Sequence, residues 1–255
     1  MQLFPIPTPI LKKGDDLARI FAEHAAFLEG DVVVVSSKAV ATVEGAAVDL
    51  RPVQPSDEAV RWAKETGSRT AAFLQATLDE TKRLNGRVVG ACPGAILTEV
   101  VPAGFPHGTI LTANAGMDES NVEKGWAVGW PRDPVASAGS LRRALEKETG
   151  GRIAVILTDS CCRPRRWGVT AFALTAAGID PLRPQEGKED LFGRKLRITT
   201  EAVADQLATA ANYLMGNAGQ SVPAVIVRGH GLPLSDFEGW VPGIAPDEDL
   251  FRGVI

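Results

Sequence analysis

Short apolar runs that end in oxygen-bearing turns constrain this chain more than any other feature. Val32–Val35 leads into Ser36-Ser37-Lys38, and Ile153–Leu157 leads into Thr158-Asp159-Ser160. Runs this short cannot span a membrane and suit buried strands. Helical spacing appears between them. Asp15–Leu28 carries Leu17, Ile20, Phe21, Ala25 and Leu28 at helical intervals, and Gly30-Asp31 ends it. Ser56 before Asp57 and Glu58 reads as a capped helix start. That helix runs with a break at Gly67 to Leu84 and stops at Asn85-Gly86. Pro134–Glu148 is a helix closed by Gly150-Gly151, and Thr200 caps a helix over Glu201–Met215 that Gly216 stops. Val88–Ile110 reads as strands and turns, Val222–Val227 as a strand, and the tail from Pro233 as surface wrapping.

These strands keep no steady βαβ rhythm, and several look antiparallel. The expected class is α+β, with mixed sheets and helices. No G-x-G-x-x-G follows a strand and no G-x-x-x-x-G-K-[ST] occurs, so neither a Rossmann nor a P-loop nucleotide site is expected. The 255 residues suit one unit over 1–255, with two interleaved subdomains and a break near Asn85. A net charge of −4 argues against a general nucleic-acid binder. Met1–Pro7 shows no basic region followed by an apolar one, which gives the expectation of a cytoplasmic protein without a signal peptide or membrane contact. Cys92, Cys161 and Cys162 do not form a disulfide framework, and a bridge between the neighbours would be strained.

Chemistry concentrates in two segments. Thr112–Val122 carries Asp118, and Thr158–Gly168 carries Asp159 and Ser160, followed by Arg163, Arg165 and Arg166. Carboxylate and hydroxyl oxygens are what a hard divalent cation takes, and arginines beside them suit phosphate or carboxylate groups. A single Asp there would read as a turn cap; two such turns favour a shared metal site next to a nucleotide. Lys38 is either a loop lysine or a phosphate contact at a strand end. Asn121 is either turn chemistry or a donor to a ligand. Gly216-Asn217 and Gly219-Gln220 form first a helix stop and second bare backbone that a nucleotide could approach. The three histidines have no motif partners, so no covalent catalysis is expected.

The order of these motifs resembles the coenzyme F420-0:L-glutamate ligase family, the gamma-glutamyl ligases of deazaflavin coenzyme biosynthesis. The matching stretches run nearly end to end: Thr8–Leu11 with Gly14–Asp16, Gly30–Lys38 with Glu44-Gly45, Asn114–Val122, and Pro134–Arg142. Thr158–Ser160 with Arg163, Pro164, Arg166 and Gly168 follows, then Asp190 with Gly193-Arg194, Ala204–Gln206, Leu214–Gly216, and Pro223 through Gly229. The resemblance implies a family-specific α+β fold and a homodimer. It implies GTP-dependent phosphorylation of the coenzyme's terminal carboxylate to an acyl phosphate, then attack by the amine of L-glutamate. Mg²⁺ or Mn²⁺ would serve it, with K⁺ as a helper. Carried over by position, Asp118, Asp159 and Ser160 would hold metal. Thr8, Pro9, Ile10, Leu11, Ser37, Lys38, Asn121, Gly216, Asn217, Gly219 and Gln220 would hold GTP. Arg163 and Arg166 would join Asp118 and Asp159 in catalysis. The chain departs from the family pattern at Thr42, Cys162, Arg165 and Asn217. Those departures motivate the alternatives of the same amide chemistry on another acid or amine, and of a nucleotide-binding paralogue without catalysis. A thiol-based redox protein using Cys161 and Cys162 rests on their adjacency alone.

Overall fold

A computed structural model of the protein describes residues 1–253. The chain begins with strand β1 (Gln2–Ile6), helix α1 (Leu17–His24), strand β2 (Val32–Ser36) and helix α2 (Ser37–Val43). It continues through β3 (Val48–Asp49), α3 (Asp57–Thr66), α4 (Ala71–Arg83), β4 (Arg87–Cys92), β5 (Ala95–Val100), β6 (Ile110–Ala113) and β7 (Trp126–Ala127). The second half holds α5 (Pro134–Thr149), β8 (Ala154–Cys162), β9 (Val169–Ala177), β10 (Arg183–Pro184), β11 (Thr200–Glu201), α6 (Val203–Met215), β12 (Ala224–Arg228) and β13 (Glu238–Trp240). The expected α+β class with mixed sheets is the observed one.

The main sheet has six strands in the order β1-β12-β2-β8-β9-β13. Among the described residues only β2 and β8 run parallel within it; the other pairs are antiparallel. Both faces of its centre are buried, which is why β2 reads as an unbroken valine run rather than an alternation. Val33, Val35, Val155 and Leu157 face α1 and α5 through Leu17, Phe21, Leu141 and Leu145. Val32, Val34, Ala154 and Ile156 face α6 through Leu207, Ala211 and Met215. A smaller antiparallel sheet, β4-β5-β6, packs with α3 and α4. Its core includes Leu50, Phe73, Leu74, Ile96 and Met117. A fourth cluster joins the two sheets through Leu84, Val100, Ala115, Trp130, Leu174 and Trp240. Asn85 lies between α4 and β4, inside the smaller unit.

Local signals explain most helix starts. Asp16, Ser56, Thr70 and Asp133 each accept a backbone N–H from the third residue on, which satisfies donors the first turn leaves free. The structure corrects four boundaries. The Asp15–Leu28 helix ends at His24, because Ala25 is extended and Asp31 accepts the Leu28 amide at 2.8 Å while pairing with Arg228. Ser37-Lys38 opens a helix instead of a loop, held by burial of Ser37, Val40 and Ala41 rather than by propensity. Thr200 does not cap α6; it pairs with Pro184 in the β10–β11 ribbon, and Ala202 precedes the helix without a side-chain cap. The tail after Pro233 is not only wrapping, since β13 adds the last strand of the main sheet beside β9. No helix among the described residues is long and apolar enough to cross a membrane.

Candidate active site

Asp159 lies inside β8, not in a turn; the turn begins at Arg163. Leu157 pairs with Thr175 but Thr158 pairs with Ala173, so Leu174 is an extra residue in β9. Such a bulge re-aims the side chains around it. Leu174 and Phe172 thereby pack against Trp130. The Trp130 indole N–H then donates to Asp159 Oδ2 at 2.7 Å, and Lys38 Nζ donates to the same oxygen at 2.8 Å. The Ser160 amide donates to Oδ1 at 2.9 Å. The carboxylate is thus buried and fixed, with a cation beside it.

Asp205, on the first turn of α6, holds the bulge by accepting the Ala173 amide at 2.8 Å. Burial raises its pKa, against the Ala173 hydrogen bond and the Arg163 charge, which lower it. A carboxyl whose pKa rises on folding stabilises the fold below its unfolded-state value, and the contribution is lost as pH climbs through the folded value. Asp205→Asn keeps an acceptor and removes the buried charge. We expect it to melt a few degrees higher than the parent at neutral pH, and to lose that advantage in acid, where the parent carboxyl is protonated. Thermal melts across that range test this; equal melting at neutral pH would contradict it.

The second acid sits on a strained turn. Asn114, Ala115 and Gly116 have φ of 53°, 51° and 75°, a left-handed path that costs about 1–2 kcal/mol per non-glycine residue. Side chains over-determine it. Asn114 Oδ1 accepts the Ile96 amide at 3.0 Å, and Thr98 Oγ1 accepts the Ala115 amide at 3.0 Å. Gly116 must lack a side chain as well, because a Cβ there would stand 2.5 Å from Trp130 Nε1. The path delivers Asp118, whose backbone pairs with Val128. Its Oδ1 accepts the Glu119 and Ser120 amides at 2.8 and 3.2 Å, and its Oδ2 accepts the Ser120 hydroxyl.

Both acids line one cleft of about 1500 Å³, larger than the ~300–1,000 Å³ of an ordinary ligand pocket and roomy enough for two substrates. Thr8, Pro9, Ile10, Leu11, Lys38, Asn121, Ser160, Gly216, Asn217 and Gly219 line it too. The Thr8 amide donates to Ser221 O at 2.9 Å, and Asn121 Nδ2 reaches Ala218 O at 3.5 Å, so the first strand's exit and the loop after α6 form one wall. Gln220 does not line the cleft; its Oε1 accepts the Ala218 amide and braces that loop. Ser37 is fully buried, and its hydroxyl is without a hydrogen-bond partner among the described residues. Arg163 and Arg166 do not line the cleft; they are exposed in the β8–β9 hairpin, next to Cys162, which does. Lys12, Lys13, Arg69 and Trp126 do line it. The Lys12-Lys13-Gly14 run could have flagged the first two, whereas nothing local marks Trp130 as the anchor of Asp159.

The chemistry of the donors bears on a divalent ion. Among the described residues no three His, Cys, Asp or Glu side chains converge as a metal cluster. A carboxylate has roughly four acceptor sites. Lys38, Trp130 and Ser160 occupy three on Asp159, and Glu119 and Ser120 occupy three on Asp118. One oxygen site on each acid and the Ser160 hydroxyl remain for a hard ion. This donor set fits Mg²⁺ or Mn²⁺ completed by water or ligand oxygens, not a cage made by protein alone. The thiols are poorly suited to redox work. Burial pushes the Cys161 thiol up to about 11, so it is not a thiolate at neutral pH, and Cys162, its neighbour on a strand, points to the opposite face.

Sequence comparison agrees with this architecture. Residues 5–229 match the F420-0:gamma-glutamyl ligase family. The chain is similar to the coenzyme F420:L-glutamate ligase of Methanopyrus kandleri, at 39% identity over 96% of each chain. It is 36% identical to the enzyme of that name from Methanocaldococcus jannaschii, over 99% of this chain and 97% of that one. The Archaeoglobus fulgidus enzyme of the same name is 39% identical over 90% of this chain and 88% of its own. The protein belongs to the F420-0:gamma-glutamyl ligase family.

Proposed function

We propose that this protein is a GTP-dependent ligase that joins L-glutamate through an amide bond to the terminal carboxylate of coenzyme F420-0. The observation that carries the reading is the Lys38–Asp159 pair, set in the same cleft as Asp118 and the Lys12-Lys13 segment. Fixed acids beside ammonium groups are what phosphoryl transfer needs, since that chemistry asks mostly for positioning and charge neutralisation.

In this reading Thr8–Leu11, Asn121 and the Gly216–Gly219 loop bind the nucleotide. Lys12, Lys13 and Lys38 face its phosphates. Asp118, Asp159 and Ser160 would hold Mg²⁺ or Mn²⁺, which would supply charge neutralisation for phosphoryl transfer. The acceptor carboxylate attacks the γ-phosphorus, forming an acyl phosphate and releasing GDP. The glutamate amine then attacks the acyl carbon, phosphate departs, and the amine proton passes to solvent or phosphate. K⁺ is proposed as a helper ion. A homodimer is proposed from Leu191, Phe192 and Ile198, which are 86–100% exposed on the β10–β11 excursion and gain by being covered.

The test is mass spectrometry of protein incubated with F420-0, L-glutamate, GTP and Mn²⁺. Glutamylated coenzyme together with GDP is the expected result. GDP without that product would point to another acceptor, and absence of GDP would point to a binding paralogue.

A further inference from the structure

Among the described residues, Arg69 is the arginine that lines the cleft; the other cations there are Lys12, Lys13 and Lys38. The two kinds of cation are not interchangeable. A lysine is a compact charge that serves phosphate well, whereas the planar guanidinium fork matches a carboxylate through two parallel hydrogen bonds.

Arg69 is held ready for such a partner. It sits between α3 and α4, directly before the capping residue Thr70. Its Nε donates to Gly94 O at 2.8 Å in the β4–β5 turn, and its guanidinium lies 4.8 Å over the Phe73 ring. Its Nη1 donates to Glu119 Oε2 at 3.1 Å. A guanidinium has about five N–H donors, so the Nη2 amino group and one Nη1 hydrogen stay unengaged. The pair is only partly covered, with Arg69 27% and Glu119 33% exposed. Glu119 makes a single bond at 3.1 Å, so a carboxylate that takes two parallel bonds from the free donors can displace it. Glu119 follows Asp118 directly; Asp118 and Ser120 on either side of it line the cleft with Arg69, while Glu119 itself does not.

We propose that Arg69 anchors a carboxylate of the amino-acid substrate, and that Glu119 occupies the anchor in the free enzyme as a surrogate that the substrate displaces. The side-chain carboxylate of Glu119 is the same chemical group that L-glutamate offers. The inference rests on the ligase reading for the identity of the amino acid.

Steady-state kinetics on the full chain, with L-glutamate and GTP varied separately, tests it beside thermal melts. Arg69→Gln should raise the KM for L-glutamate by about 10–100-fold, the loss expected for a charged hydrogen-bonded pair, with the KM for GTP unmoved. Arg69→Lys should recover only part of that loss, because it keeps the charge without the fork. Glu119→Gln should lower the KM for L-glutamate, since it removes the competitor; a merely structural ion pair would not produce this opposite sign. A folded Arg69→Gln protein with parental KM for L-glutamate would overturn the assignment. So would a rise in the KM for GTP alone, which would make Arg69 a phosphate contact. If the parent forms no glutamylated coenzyme, the ligase reading fails, and equilibrium binding of radiolabelled L-glutamate decides the anchor separately. Binding by the parent that Arg69→Gln abolishes would sustain it, and no binding by the parent would refute it.

Discussion

Asp159→Ala is expected to lower metal-dependent ligation by about 10²–10³-fold, the scale lost when a preorganised group is removed from a transition state. The expectation follows from how many groups meet at this carboxylate. Lys38, Trp130 and the Ser160 amide all donate to it. Without it, the Trp130 indole N–H has no acceptor in a buried site, which costs about 1–3 kcal/mol of stability. Lys38 also loses the partner that aims it. Two measurements separate these consequences. Mn²⁺ titration followed by electron paramagnetic resonance reports the ion site without turnover, and denaturant melts report the fold. A protein that stays folded, binds Mn²⁺ like the parent and ligates within tenfold of it would remove Asp159 from the metal site.

Gly116→Ala should destabilise the protein by about 2–5 kcal/mol, from the left-handed backbone and the steric overlap together. Gly116 has φ 75°, and the added methyl would stand 2.5 Å from Nε1 and 2.6 Å from Cε2 of Trp130. The indole cannot yield freely, because it packs against Phe172 and Trp240 at 6.4 and 6.5 Å between ring centroids. Any movement also stretches its hydrogen bond to Asp159. Activity should therefore fall even under conditions where the variant is folded. Urea melts with intrinsic tryptophan fluorescence would show the loss, and an unchanged midpoint with parental activity would mean that Trp130 is not fixed as described.

Legibility in the sequence follows the range of the interactions. β2 and α5 could be read because their signals are local: an apolar run in the first, closing glycines in the second. The break at Gly67 between α3 and α4 is equally local. α2 could not, because seven residues with valine and threonine gain helical order only from burial against β2 and β8. β13 could not, because its three residues become a strand only when β9 presents an edge. At the site, Asp118 and Asp159 stand out as acids following apolar segments. Lys38 was visible as a strand-end lysine, but its pairing with a residue 121 positions away was not. Arg163 and Arg166 follow Asp159 in sequence, yet the strand continues to Cys162, so they sit exposed in the hairpin whose ends, Cys162 and Val169, line the cleft. Arg69 had no neighbouring motif at all, and only the approach of the β4–β5 turn and Glu119 gives it a setting.

The order of strands in the main sheet has a consequence for synthesis on the ribosome. β12 lies between β1 and β2 and pairs with both, matching Gln2 with Arg228. β1 therefore waits for β12, made much later, before it has a neighbour. Until then the four valines of β2 present an unpaired, apolar edge to whatever is near, and closure of such distant contacts is slow. The nascent chain should depend strongly on chaperones or on slow, cool expression, and recombinant yields should respond to those conditions more than to substitutions on the protein's surface.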